Sequence, residues 1–220
     1  MPAHEIKKHI ALYNDLSTDN SEFIWEIEHA ADANTRSVTI CAQDRPGLIS
    51  KIAGVFTLNN IDILDVQAFT WRNNIALDIF KVKPPPDPIL EDEKWNRTAT
   101  NLGAALSGEL DLSAALDKKV GFYRNGKTGL GKKPHQVTVD NTSSSFFTIV
   151  EVFTDDFPGL LFSVTDALFR CALDIWVAKI ATKVDQVVDV FYVRDFDGEK
   201  IDDPEQVTAI KEAVTAVLPD

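Results

Sequence analysis

The chain has 220 residues, 45% hydrophobic and 25% charged, which is the ordinary globular range and enough to bury one large or two small cores. Its formal net charge of −12 argues against nucleic acid as a partner, because a phosphate backbone would be repelled overall. No apolar run approaches the roughly 20 residues of a membrane helix, and Met1-Pro2-Ala3-His4-Glu5 lacks the charged-then-apolar profile of a secretory signal. The expectation is a cytoplasmic protein without membrane association.

Residues 5–16 predict a short helix, with Ile6, Ile10 and Tyr13 at helical spacing. Residues 22–28 alternate as a half-buried strand, with Phe23, Trp25 and Ile27 on one face. Neither piece has an evident counterpart later in the chain, so residues 1–35 are expected to be an N-terminal extension.

Beyond residue 35 the chain repeats itself, and repeats settle architecture before anything else does. Asp44-Arg45-Pro46-Gly47-Leu48-Ile49 returns 112 positions later as Asp156-Phe157-Pro158-Gly159-Leu160-Leu161. The register holds through Asp62/Asp174, Ile63/Ile175 and Thr70/Thr182, then shortens by one at Asp78/Asp189, Phe80/Phe191 and Val82/Val193. A hairpin turn one residue shorter in the second copy accounts for that change. Cys41 and Cys171 fall at non-equivalent positions of the two copies, so they do not read as a disulfide framework.

Each copy is predicted to run strand, helix, strand, strand, helix. Residues 37–42 form a β-rich run ending at Asp44, and Pro46 suits a first helical turn. Leu48, Ile49, Ile52, Val55 and Phe56 give one apolar helical face, reproduced by Leu160, Leu161, Val164, Ala167 and Leu168. Asn59-Asn60 ends that helix. Two strands come next over 61–71 and 75–83, matched by 173–183 and 187–194. The proline run 84–88 stops the third strand. A second helix then carries Trp95, Ala99, Leu102 and Leu106 on one side. Its counterpart opens at Asp203-Pro204-Glu205, a good N-cap and first turn.

The copies then diverge. The first continues through a helical stretch at 111–119 and a Gly/Lys-rich loop over 121–134 into a strand at 135–140, expected to be its fourth. The second ends without a visible fourth strand. Strand–helix–strand–strand–helix–strand is the ferredoxin-like arrangement of an α+β fold, an antiparallel sheet with two helices on one face. The expected division is 1–35, then a first domain over 36–145, then a second over 146–220.

A strand, then Asp-x-Pro-Gly-Leu opening a helix, then a second strand, resembles the ACT domain. Over roughly 36–218 the tandem is similar to the ACT region of the bacterial protein-PII uridylyltransferase/uridylyl-removing enzymes. The residues that carry this are 44–48 with Ile52-Ala53-Gly54-Val55, Ala76-Leu77-Asp78-Ile79-Phe80, Val188-Asp189-Val190-Phe191-Tyr192 and Gly198-Glu199-Lys200-Ile201. Phe157 departs from the arginine that the family usually has there. The resemblance implies sensing of a small amino acid, glutamine above others, by a regulatory module of nitrogen metabolism. It also implies ACT pairing, within the chain or in a homodimer, and a PII-type regulator downstream. No cofactor is implied.

Catalysis is not expected of these residues. A nucleotidyltransferase needs a Gly-Ser turn followed by paired carboxylates, and no Gly-Ser dipeptide occurs. No histidine is followed by aspartate, as a His-Asp metal pair requires.

The two strand-to-helix turns are the candidate ligand sites. A helix N-terminus offers unpaired N–H groups and partial positive charge to an amino-acid carboxylate. Gly47 and Gly159 let a ligand approach the backbone, with Arg45, Leu48 and Leu160 beside them. Asp44 and Asp156 could cap the helices or receive the ligand's ammonium. Asn60 and Asp62, entering the second strand, are the expected polar partners, with Asp174 their counterpart. The bland alternative is that Asp-x-Pro-Gly merely builds a tight turn, and that the sheets pair as an interaction module without a small molecule. Trp176, in a strand, could belong to the core or to the pocket. Residues 121–128 fit the phosphate-loop pattern G-x-x-x-x-G-K-T, but a helical segment precedes them and Gly129-Leu130-Gly131 comes after, so the match reads as chance.

Overall fold

The computed structural model describes residues 3–19, 21–30, 34–71, 73–84, 87–117, 135–183 and 186–218. The phosphate-loop pattern and the whole Lys/Arg-rich stretch at 118–133, expected to be a solvated loop, lie outside the described residues. In chain order the elements are α1 (Ala3–Asp19), β1 (Phe23–His29), β2 (Arg36–Gln43), α2 (Leu48–Leu58), β3 (Ile63–Thr70), β4 (Ile75–Val82), α3 (Glu91–Ser107) and α4 (112–117). The second half supplies β5 (Gln136–Asp140), β6 (Thr148–Asp155), α5 (Leu160–Arg170), β7 (Leu173–Lys183), β8 (Gln186–Asp195) and α6 (Pro204–Ala216).

All eight strands join one antiparallel sheet in the order β1-β2-β4-β3-β7-β8-β6-β5. Within β4 the side chains of Ala76, Phe80 and Val82 join the main core, while Ile75 and Leu77 join a second cluster on the other face. The main core lies under α2, α3, α5 and α6 and runs unbroken across both halves. Fully buried Phe56 and Phe80 meet edge to face at 5.2 Å. On the opposite face α1 lays Leu12 and Leu16 over Cys41, Ile75 and Leu77. Cys41 is therefore a packed core thiol, and burial raises its pKa to about 11.

The strand at Gln136–Asp140 pairs with β6, not with the first repeat. This corrects its assignment as the first copy's fourth strand. The fourth position of the first copy is filled by β1, which pairs with β2. The two pairings are equivalent: Trp25 lies opposite Ile40 as Val137 lies opposite Val152, and Ile27 opposite Val38 as Val139 opposite Val150. Each partner stands 112 positions from its mate. The expected N-terminal extension thus contributes an edge strand, and both copies run in the order strand, strand, helix, strand, strand, helix. Physically, the edge position beside β2 can be filled from either direction along the chain, and the strand that directly precedes each unit takes it.

The halves meet through β3 and β7, where Val66 pairs with Ile180, Gln67 with Lys179 and Ala68 with Ala178. Residue 179 is residue 67 displaced by the same 112 positions, so a pseudo-two-fold axis passes through that pair. ACT pairing is thereby made within one chain.

Helix ends repeat as well. Asn60 leaves α2 with φ 54°, and Ala172 leaves α5 with φ 57°. Asparagine tolerates the left-handed region and alanine does not, at a cost of about 1 kcal/mol. Ala172 is exposed. Ala172→Asn is expected to raise stability by up to about 1 kcal/mol in urea denaturation; a loss of stability would show that the backbone there is not strained.

Candidate functional site

Arg45-Pro46-Gly47-Leu48 is a type II turn. The Leu48 amide donates to the Arg45 carbonyl at 3.1 Å, and Gly47 takes φ 81°, ψ 5°, the region that position demands. Phe157-Pro158-Gly159-Leu160 repeats it, with the Leu160 amide 3.0 Å from the Phe157 carbonyl and Gly159 at φ 90°, ψ 6°. Pro46 and Pro158 therefore sit in the turn, and each glycine is the residue from which the helix starts. The N-cap residue of each helix is that glycine, which has no side chain to cap it. The capping alternative for Asp44 is not the one adopted. Asp44 instead accepts the Thr70 hydroxyl at 2.6 Å.

Two clefts open where the halves meet, one on each side of the pseudo-two-fold. The first is lined by Asp44, Arg45, Gly47 and Leu48 from the first turn and by Phe169, Leu173 and Asp174 from the end of α5 and the start of β7. The second joins Asp156, Gly159 and Leu160 to Thr57, Asn60, Asp62 and Lys83 from the first half. All ten residues singled out from the sequence line one cleft or the other, but they are grouped crosswise. Asn60 and Asp62 face the second turn, and Asp174 faces the first. The crossing comes from the β3–β7 pairing, which sets each helix N-terminus against the strand entry of the other copy.

Two buried carboxylates complete the clefts, and they are the residues that sequence reasoning passed over. Asp78 is 2% exposed and lines the first cleft; Asp189 is 1% exposed and lines the second. Among the described residues, Asp78 Oδ2 and both oxygens of Asp189 have no hydrogen-bond partner. Burial, reinforced by Asp44, pushes the Asp78 carboxyl up to about 8. Burial, reinforced by Asp156, pushes Asp189 well above the carboxylate range. Asp174, which is less buried, rises to about 6 for the same reason, with Asp44 again the second cause. The legible signal was polarity on the wrong face: each aspartate stands two residues before a fully buried phenylalanine on the same side of a strand.

The clefts are not equal. The first holds only about 10 Å³ of free space, room for about one water, whereas the second holds about 210 Å³. One substitution between the copies stands where the clefts differ. The Phe169 ring lies against Gly47, so close that a Cβ there would sit 2.9 Å from the ring. Position 57 is its counterpart in the other half, and Thr57 folds its hydroxyl back onto the Ala53 carbonyl at 2.8 Å. Phe169 is braced from outside by Phe196, with ring centroids 5.7 Å apart.

Arg45 lines the first cleft while one guanidinium nitrogen holds Glu22 at 2.8 Å. At the mouth of the second, Lys83 Nζ lies 3.3 Å from Asp62 Oδ2. Trp176 lines neither cleft. It occupies a bulge in β7 on the face away from α5, where the Arg194 guanidinium stacks over it at 5.0 Å. Among the described residues no group of three or more His, Cys, Asp or Glu side chains is arranged to hold a metal ion, and no helix is long and apolar enough to cross a membrane.

A family model for an ACR9-like, ACT-like domain matches residues 136–218. That span begins at β5, where the second half of the sheet begins. The bifunctional uridylyltransferase/uridylyl-removing enzyme of Gluconobacter oxydans is 32% identical over 212 residues, covering 96% of this chain and 22% of that protein. The enzyme of the same name from Rhodospirillum rubrum is 36% identical over 182 residues, covering 82% and 19%. The chain therefore spans about a fifth of the length of the curated relatives it matches. Among solved structures, the ligand-free regulatory subunit of aspartate kinase from Thermus thermophilus is 13% identical with a TM-score of 0.25, covering 88% of this chain and 99% of that one. The chain is a tandem of ferredoxin-like ACT domains resembling the C-terminal regulatory region of the bifunctional uridylyltransferase/uridylyl-removing enzymes.

Proposed function

We propose that this tandem senses a small amino acid, with glutamine the favoured ligand, and passes the signal to a uridylyltransferase-like parent acting on a PII-type regulator of nitrogen metabolism. The observation that carries the reading is the pairing of opposites at the junction. Each cleft sets the N-terminus of a helix, suited to a carboxylate, against carboxylates suited to an ammonium. A zwitterion satisfies both at once. Neither a nucleotide nor a dicarboxylate would, since three aspartates gather around each cleft.

Because each cleft is shared between halves, a ligand there contacts both and stabilises one relative arrangement over others. It shifts that balance only by its difference in affinity between arrangements.

A thermal-shift screen of the twenty amino acids and common nucleotides tests the reading. A ligand at 100 times its dissociation constant adds about 2.7 kcal/mol to the native state, and each kcal/mol moves the midpoint by about 2–4 °C at this size. A rise of several degrees with glutamine is the expected result. A rise with a different amino acid keeps the sensor and discards nitrogen control through glutamine. No rise with any amino acid leaves the tandem as an interaction module.

A further inference from the structure

We infer that the second cleft is the one amino-acid site of the chain, that Asp189 is its anchor for the ligand's ammonium group, and that Phe169 occupies the first cleft in place of a ligand. This rests on the amino-acid reading of the tandem and makes it specific to one cleft and one residue.

Volume separates the clefts first. About 210 Å³ exceeds the roughly 150 Å³ cavity that takes up a benzene ring, whereas about 10 Å³ admits no solute. The difference comes from Phe169 against Thr57 at equivalent positions. It is a property of the sequence, not of a loop setting.

Chemistry then picks Asp189. A buried carboxyl with both oxygens unpartnered among the described residues is costly to the fold unless something satisfies it. Asp189 stands at the floor of the open cleft, beside the turn that starts α5. An ammonium entering there gives up its hydration and releases to solvent the proton that burial holds on Asp189, pairing with the carboxylate so formed, while the ligand's carboxylate turns toward the α5 amides. Asp62 cannot take that part, because Lys83 is at 3.3 Å and both side chains are largely exposed. Asp78 has the same burial and the same face of its strand, but its cleft is closed.

Isothermal titration calorimetry of the wild-type chain with each of the twenty amino acids, glutamine first, gives the reference. One molecule per chain is expected. Asp189→Asn keeps the shape and removes the ability to ionise against the ligand's ammonium, and is expected to weaken binding about a hundredfold while its melting temperature does not fall. The 2-oxo analogue of the ligand, which lacks the ammonium, is expected to bind wild type and Asp189→Asn within about twofold of each other. Phe169→Thr is expected to open the first cleft and raise the stoichiometry toward two.

Two molecules bound by wild type would overturn the inference, as would unchanged affinity in Asp189→Asn; either leaves the sensor reading intact. An unchanged stoichiometry in Phe169→Thr would overturn the plug. Absence of binding by wild type to all twenty amino acids would overturn the sensor reading and this inference with it.

Discussion

Glu91→Ala is expected to cost about 3 kcal/mol of folding stability, enough to lower the melting midpoint by about 6–12 °C. Glu91 opens α3 and takes the Arg36 guanidinium in a two-pronged grip, at 2.7 Å from Nε and 2.8 Å from an Nη nitrogen. The same carboxylate accepts the Trp95 indole N–H at 3.1 Å, and Trp95 meets Trp25 edge to face at 5.9 Å. One side chain thus ties the start of α3 to β2 and, through the two indoles, to the edge strand β1. Arg36 is 7% exposed, so removing its partner leaves a cation with nowhere to go. The Arg36 hydrogen bond also holds the Glu91 carboxyl below its usual range. The stability it adds is therefore present above the unfolded value near 4.3 and lost as pH falls through the folded one. Replacing both partners, Arg36→Met with Glu91→Leu, is expected to recover most of the loss, because an apolar pair leaves no charge stranded. Urea denaturation of the three variants decides the matter. A drop below about 1 kcal/mol for Glu91→Ala would mean that water already serves Arg36.

The grip between Arg36 and Glu91 was not legible in the sequence, where the two residues stand 55 positions apart and nothing marks them as partners. What was legible was local. The Asp-x-Pro-Gly-Leu turns, the apolar faces of α2 and α5, and the N-cap at Asp203, whose side chain accepts the Glu205 amide at 3.0 Å, all depend on residues within a few positions of each other. The tandem itself was legible because it repeats at fixed spacing.

Pairing between distant segments was harder. Phe23-Ile24-Trp25-Glu26-Ile27 and Gln136-Val137-Thr138-Val139-Asp140 share no motif, so their equivalence appears only in what they pair with. The site suffered in the same way. The candidate residues came from the turns and the strand entries, yet which turn faces which strand entry depends on β3 lying against β7, and no side chain announces that contact. The closure of the first cleft turns on a single position, Phe169 against Thr57, inside helices that otherwise match. Asp78 and Asp189 could have been read from the pattern, since an aspartate on the buried face of an apolar strand, repeated in both copies, contradicts binary patterning.

Those two aspartates make the opposite prediction from Glu91. Asp78 is held protonated to about pH 8 in the folded chain, first by burial and second by Asp44, whereas unfolded aspartate ionises near 3.9. Between those values the native state binds a proton that the unfolded chain releases, so stability falls as pH rises. Asp189 works in the same sense. His9 works against them, because burial lowers its pKa, but only below about 6.5, where the unfolded imidazole gains its proton. The window from pH 6.5 to 8 therefore belongs mainly to the buried aspartates. There the wild-type chain is expected to lose up to about 1.4 kcal/mol per pH unit for each of them. Asp78→Asn mimics the neutral form at every pH. It is expected to flatten the slope by up to that amount per pH unit and to leave the variant more stable than wild type at pH 8 by an amount on the order of 3 kcal/mol. Urea denaturation at constant ionic strength, in steps from pH 6.5 to 8.5, gives both quantities. An unchanged slope with no gain at pH 8 would show that the Asp78 carboxylate is already ionised in the folded chain. Its cleft would then hold a charge, and the closed first cleft would need a cation of its own.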